Sequence, residues 1–198
     1  MKTALLQITS SDDPAANLRL VTAMLEQAKD QGAGYVLTPE VTNCVSGSRT
    51  HQNQVLSTEA EDAFLEGLRN AAARLGLWVT IGSMALKSDD PEDRFVNRQF
   101  LIDPRGEIKA RYDKIHMFDV TVSETETYHE SKGYRPGDTA VVCETPFARI
   151  GLSICYDLRF PVWSKNTDGY DLLLFSANWP AKRIEHWRKL AMARAIEN

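Results

Sequence analysis

Cysteine is scarce in this sequence of 198 residues: Cys44, Cys143 and Cys155 are the only three, and none lies in a CxxC pair. An odd, sparse set of thiols excludes a disulfide framework and a zinc cage, so each is expected to be free. No segment approaches the roughly 18 apolar residues that a membrane-spanning helix needs, which excludes a membrane partner of that kind. The start, MKTALLQITSSDDP, has one early lysine and a short apolar run, with acidic residues where a cleavage site would belong, so a cytoplasmic protein is the expectation. Positive charge is not in excess either. The formal net charge is -4 and no Lys/Arg run forms a footprint for phosphates, which excludes nucleic acid as a partner. Walker and GxGxxG loops, HxxH and HExxH motifs and carboxylate-rich loops are all missing, so neither a nucleotide nor a metal is expected.

What is present is the composition of one globular domain, with 43% hydrophobic and 25% charged residues; a single domain over 1–198 is expected. Short β-type runs alternate with helical patterns. TALLQI (3–8) predicts a strand, and Leu18, Val21, Leu25 and Ala28 recur at helical spacing between Pro14 and Lys29, with Asp13 as a natural helix start. YVLTPE predicts a strand finishing at Glu40, Glu61 to Leu75 a helix stopped by Gly76, and LWVTIG (77–82) a buried strand. VNRQFLID and EIKARYDK, joined by DPRGE, read as a hairpin. Residues 115–137 show no periodicity and read as a long loop. TAVVCE, ARIGLSIC and DLLLF follow as strands, and Arg183 to Glu197 as an amphipathic helix. Such alternation predicts an α/β layered fold, and the hairpin within it predicts a mixed sheet.

Three chemically useful residues fall at predicted strand ends, where α/β sites collect: Glu40, Lys114 and Cys155. Singly, each has a plain alternative as a solvated carboxylate, an exposed lysine or an inert buried thiol. Together they match what amide hydrolysis through a covalent intermediate requires. Cys155 would be the nucleophile, Glu40 the base that returns a proton to the leaving amine, and Lys114 the positive charge where the oxyanion develops. The lysine is expected to lower the thiol pKa and burial to raise that of the carboxylate. Histidine is the more familiar partner for a catalytic thiol, but no spacing selects among His51, His116, His129 and His186.

LTPEVTN, YDKIHMFDV and GLSICYDLRFP, in that order, resemble the signature regions of the nitrilase superfamily of carbon-nitrogen hydrolases. The resemblance runs from residue 3 to the last residue. It implies that Glu40, Lys114 and Cys155 form the catalytic set. It also implies that Glu130, in HESKGYRPGD, orients the lysine and substrate, and that the main-chain N–H of Tyr156 assists at the oxyanion. The implied fold is a four-layer α-β-β-α sandwich with mixed sheets, commonly a homodimer, without metal or organic cofactor. YDKIHMFDV and ICYDLRF look like the amidase branch that holds omega-amidases and deaminated-glutathione amidases, whereas VWSKNTDGYDLLLFSANWPAKR looks more like the bacterial omega-amidase type. A small-molecule substrate with a terminal amide and a carboxylate is implied. Arg159, four residues past Cys155, is the candidate to bind that carboxylate, with a structural ion pair as its alternative; Trp179 is a candidate pocket wall, with a core aromatic as its alternative.

Relatives of this type usually run on beyond the helix that ARAIEN resembles, so the domain is expected to lack its carboxyl-terminal part. Three readings follow: an active amidase, with nitrile or N-carbamoyl hydrolysis as its nearest variants; an idle or truncated member serving as a binding or assembly subunit; and a nucleotide-binding α/β module. The last rests on fold analogy alone.

Overall fold

The computed structural model describes residues 1–165, 167 and 169–198; Asn166 and Asp168, within the VWSKNTDGY stretch, lie outside the described residues. Strand β1 (Thr3–Leu5) leads to helix α1 (Pro14–Asp30), then β2 (Tyr35–Leu37), α2 (Arg49–Val55), α3 (Ala63–Leu75) and β3 (Trp78–Leu86). The chain continues as β4 (Val96–Ile102), β5 (Ile108–Asp113), β6 (Asp119–Ser123), β7 (Glu126–His129), β8 (Val142–Glu144), β9 (Arg149–Ile154), β10 (Leu172–Ser176) and α4 (Ile184–Glu197). Local chemistry sets the helix ends. The Asp13 carboxylate accepts from the N–H groups of Ala15 and Ala16 at 2.9 and 3.0 Å, with Pro14 opening the helix. Asp62 caps α3 through Leu65 N at 2.8 Å, and Gly76 ends it in the left-handed region at φ 62°.

Five strands make one sheet in the order β1-β2-β3-β4-β5, parallel across the first three and antiparallel beyond. A second sheet runs β10-β9-β8, with β9 and β10 parallel. One face of the larger sheet carries α1 and α3, where Val21, Leu25, Phe64 and Leu68 close on Val79, Ile81, Phe100 and Ile102. The other face meets the smaller sheet through Tyr35, Leu101, Tyr112, Ile150, Leu152 and Ile154. Being covered on both faces, β3 is buried at nearly every position and does not alternate. Helix, sheet and sheet stack in that order, and α4 docks on the turn after β9, where Arg194 Nε donates to Leu158 O at 3.1 Å. The expected α-β-β-α fold with mixed sheets is what the chain adopts.

Three local expectations need correction. Residues 115–137 are not one long loop: β6 and β7 pair as an antiparallel ribbon inside them. Strand β6 does alternate, with Val120 and Val122 half-buried, but the repeat is only five residues long and β7 is exposed throughout, which is too little to mark a ribbon by periodicity. Helix α2 was not foreseen, because RTHQNQV buries only Gln52. Helix α4 exists but is not amphipathic as expected; only Arg194 is buried on it, and Ile184, Met192 and Ile196 are exposed. Among the described residues no helix is long and apolar enough to cross a membrane.

The fold's tightest approach lies beside Glu40. The β3–β4 pairing is irregular between Ile81 and Met84, which frees Gly82 and Ser83 to bind the segment after β2. Gly82 N donates to Thr38 Oγ1 at 2.9 Å, Ser83 N to Pro39 O at 3.2 Å, and Val41 N to Ser83 Oγ at 2.8 Å. A Cβ on Gly82 would stand 1.9 Å from Thr38 O. Gly82→Ala is therefore expected to push the Glu40 segment off β3 and to cost about 1–3 kcal/mol. An unchanged melting temperature by calorimetry would contradict this approach.

Candidate active site

Glu40, Lys114 and Cys155, remote in sequence, meet at the floor of one cavity of about 650 Å3. Each stands just past a strand: Glu40 three residues beyond β2, Lys114 one beyond β5, and Cys155 directly after β9. All three are nearly inaccessible, at 6%, 2% and 8% exposure. Lys114 Nζ donates to Glu40 Oε1 at 2.9 Å and to Glu130 Oε1 and Oε2 at 2.8 and 2.9 Å. Asn97 Nδ2 donates to the same Glu40 Oε1 at 3.0 Å and Asn178 N donates to Oε2 at 2.7 Å, while the Cys155 thiol lies near enough to this carboxylate for each to shift the other's pKa. Main-chain bonds hold Lys114 on both sides: its N–H donates to Asn97 O at 2.9 Å and its carbonyl accepts from Gly137 N at 2.8 Å. Glu130 is tied to the base of the β6–β7 ribbon by Phe118 N, which donates to its Oε2 at 2.6 Å.

Backbone strain marks the same place. Cys155 has φ 47° and Val41, next to Glu40, has φ 51°. Such left-handed conformations in residues with a Cβ cost about 1–3 kcal/mol each and persist only where the surroundings impose them. For Cys155 the imposing group is Asp157, which sequence reasoning missed. Its fully buried carboxylate accepts from Ile154 N (2.9 Å), Tyr112 Oη (2.7 Å) and His116 N (3.0 Å), and pairs with His116 Nδ1 at 2.7 Å. The turn carrying the thiol is thereby bolted to the end of β5, beside Lys114. Its one sequence signal was an acid two residues past the nucleophile in an otherwise apolar stretch. His116 stacks on Phe160, with ring centroids 3.6 Å apart, and serves this brace and not the thiol.

Among the other anticipated residues, Glu130, Arg159 and Trp179 line the cavity. Arg159 makes no ion pair with a carboxylate among the described residues; Nη2 meets His186 Nδ1 at 3.3 Å and the guanidinium lies 5.5 Å from the Trp179 ring centroid. The structural ion pair offered as its alternative is absent there. The Tyr156 ring packs edge-on to Phe118 and Phe160 and is not part of the cavity wall. Arg183, which the sequence did not single out, lines the cavity near the Trp179 indole, whose Nε1 donates to Arg183 O at 2.9 Å. Among the described residues no group of three or more His, Cys, Asp or Glu side chains has the arrangement to hold a metal ion.

Both expected pKa directions are reversed. Burial pushes the Glu40 carboxyl up, but the Lys114 charge and the bonds from Asn178 and Lys114 outweigh it, leaving its pKa below the ordinary value. Burial, then the Glu40 charge, push the Cys155 thiol well above its usual range, and the opposing pull of Lys114 is too small to prevent it. Burial lowers the Lys114 pKa, yet Glu40, Cys155 and Glu130 together raise it, so the ammonium is permanent. At neutral pH the resting site thus holds a carboxylate, an ammonium and a neutral thiol. The error in the sequence reading was to pair the lysine with the thiol, when two carboxylates claim it first. Alkylation of Cys155 by iodoacetamide is expected to climb through pH 9 without a plateau. Glu40→Gln removes a charge that holds the proton on sulfur, so the variant is expected to alkylate faster at pH 7, about tenfold for each unit the thiol pKa falls. A wild-type plateau below pH 7 would show a preformed thiolate instead.

The carbon-nitrogen hydrolase profile matches residues 2–198. A deaminated glutathione amidase of Yersinia enterocolitica is 35% identical over 98% of this chain and 69% of its own length. An omega-amidase, YafV, of the same organism is 38% identical over 94% of this chain and 66% of its own length. The chain therefore spans about two thirds of the length of these relatives. Among solved structures, a Glu-to-Gln mutant of the amidase from Nesterenkonia sp. AN1, showing Michael addition of acrylamide at its active site cysteine, superposes with a TM-score of 0.83 at 26% identity, covering 100% of this chain and 75% of that one. With a strand-end Glu, Lys and Cys on one cavity floor and the family profile matched from residue 2 to residue 198, the chain belongs to the carbon-nitrogen hydrolases.

Proposed function

We propose that this protein is an amidase that hydrolyses the terminal amide of a small carboxylate through a thioester on Cys155. One observation carries the reading: a buried carboxylate, Glu40, bonded to the Lys114 ammonium, lines the same accessible cavity as the Cys155 thiol. Glu40 takes the thiol proton as sulfur attacks the amide carbon, so a neutral thiol and an ionised base are the productive resting pair. The oxyanion is met by Lys114, one of whose N–H bonds to Glu130 turns toward it, and by the main-chain N–H of Tyr156. Glu130, retaining Phe118 N and the remaining Lys114 bond, keeps the ammonium aimed. The tetrahedral adduct collapses, Glu40 gives its proton to the leaving nitrogen, and ammonia departs. Glu40 next takes a proton from water as the water attacks the thioester, releasing the carboxylic acid and restoring the thiol. The relatives named deaminated glutathione amidase and omega-amidase favour an amide over a nitrile.

Substrate selection follows from the upper cavity. Arg159, without a carboxylate partner among the described residues and set against Trp179, is suited to hold the substrate carboxylate. Cys155→Ala is expected to abolish ammonia release from short ω-amides that carry a free carboxylate, with folding intact. Arg159→Ala is expected to raise KM for these at least about tenfold, the scale of a lost charge-assisted hydrogen bond, and to spare a neutral aliphatic amide. Turnover by the Cys155 variant would refute the mechanism; equal losses on both substrates would refute the role of Arg159.

The remaining parts of the reading concern the whole molecule. Residues 1–198 form one domain, a view supported by the core that both sheets share. A cytoplasmic setting suits three free thiols. A homo-oligomer, with the homodimer as its simplest form, is supported by Ile184, Met192 and Ile196 standing exposed on α4. Light scattering behind size exclusion is expected to give twice the chain mass, and Met192→Glu to reduce it to one; a monomeric wild type would contradict this.

A further inference from the structure

Among the described residues, three buried side-chain polar atoms have no protein hydrogen-bond partner: Asn97 Oδ1, Gln99 Nε2 and Gln99 Oε1. They belong to two side chains on one strand, β4, both almost completely buried, at 1% and 0% exposure. Strand alternation puts positions 97, 99 and 101 on one face. Leu101 identifies that face as the one packed against the second sheet, while Val96, Phe100 and Ile102 face the helices. The unpartnered amides therefore sit together in the inter-sheet layer, immediately behind Glu40. Around them the neighbouring polar groups are committed. Asn97 Nδ2 donates to Glu40 and Asn97 O accepts from Lys114 N. Tyr112, directly opposite Gln99 in the β4–β5 pairing, spends its hydroxyl on Asp157. On the other side Gln99 falls at the irregular step of β3 between Ile81 and Met84.

A wholly unpaired amide in such a layer is costly, whereas internal water with two to four polar partners is the usual way such groups are satisfied. We propose that Asn97 and Gln99 form an internal water-binding site behind Glu40, and that the bound water fixes Asn97 in the orientation that donates to the Glu40 carboxylate. One water accepting from Gln99 Nε2 and donating to Asn97 Oδ1 satisfies two of the three atoms, and its second proton serves Gln99 Oε1 directly or through another water. The orientation matters because the Asn97 amide has two faces. With Oδ1 held by the water, the NH2 group points at Glu40 Oε1 and stabilises the ionised base. Turned over, it would present an oxygen to a carboxylate. Asn97 is thus a positioning residue for Glu40, and Gln99, through the water, is what orients Asn97. The other groups facing Glu40 are Lys114 from the end of β5, with Glu130 behind it, the Cys155 thiol after β9 and the Asn178 N–H after β10; none contacts Gln99's amide.

The functional half of this proposal rests on Glu40 acting as the base; the water site itself does not. Its test has two arms on the full chain. In a high-resolution crystal structure of the wild type, an ordered water within hydrogen-bond reach of Asn97 Oδ1 and Gln99 is expected, and a dry gap between them overturns the site whatever the activity. In the pH profile of kcat/KM for amide hydrolysis, the acid limb reports protonation of Glu40. Gln99→Leu, similar in size and without polar atoms, is expected to move that limb upward by about half to one pH unit with KM unchanged, and Asn97→Leu to move it further the same way. An unmoved limb together with a raised melting temperature in Gln99→Leu would mean a dry, merely strained amide and would overturn the proposal. Absence of any turnover, with the water present, would count against the amidase reading and against the functional half, while the site would stand on the crystal structure.

Discussion

A lysine with almost no access to water, held between two carboxylates, is the constraint around which this molecule is arranged. Taking an ammonium and two carboxylates out of water is expensive, and their mutual attraction offsets it only when further hydrogen bonds finish the job. The chain provides them from every side: Asn97 from β4, Asn178 from beyond β10 and Phe118 from the start of the β6–β7 ribbon. Asn178 lies 138 residues from the Glu40 it binds, so the ion cluster forms only once both sheets have closed on each other. The same bonds fix the geometry. The register of β4 against β5 sets Lys114 beside Asn97, and the irregular step in β3 receives the segment that carries Glu40.

That cluster also decides how the thiol behaves. Burial and the nearby carboxylates, Glu40 first, outweigh the pull of Lys114 on the thiol, so a further anion on sulfur is disfavoured. A buried, neutral thiol is stable at rest, and under the mechanism proposed above Glu40 would activate it at the moment of attack. The arrangement differs from sites where a lone cation next to a cysteine keeps a standing thiolate. The strained backbone at Cys155 belongs to the same design. Asp157 gathers Ile154, Tyr112 and His116 around one buried carboxylate, so the turn cannot relax without breaking several bonds.

The polar interior is more extensive than the three reactive groups. Toward one end the inter-sheet layer is apolar, with Leu101, Ile150 and Leu152; toward Glu40 it becomes Asn97, Gln99 and Ser176, whose hydroxyl donates to Gly82 O. A graded layer of this kind lets one core both hold the sheets together and support charge at its rim. It also explains why the site lies where it does. Strand ends bring unpaired backbone groups and short polar side chains to one edge, and there a buried carboxylate can be satisfied.

Patterns that depend on neighbours in sequence were readable directly. The helix over 14–30 follows from Asp13, Pro14 and the spacing of Val21 and Leu25, and the β4–β5 hairpin from two β-type runs around DPRGE. Glu40, Lys114 and Cys155 stood out because each ends such a run. The β6–β7 ribbon and α2 did not, since elements this short or this exposed leave little hydrophobic repeat to detect, and the amphipathic face expected of α4 is absent, with Ile184, Met192 and Ile196 exposed. Asp157 was legible only as an acid in an odd place; its three partner residues come from β5, β9 and the stretch after Lys114. The order of charge in the site was not legible at all. A pKa is set by which groups stand within a few ångströms and how much water they lose, and those distances are properties of the closed sandwich. Residue types and periodicity thus pointed to an α/β layered fold with a mixed sheet and to the candidate side chains at strand ends; only the tertiary structure decided that the lysine answers to carboxylates and leaves the thiol its proton.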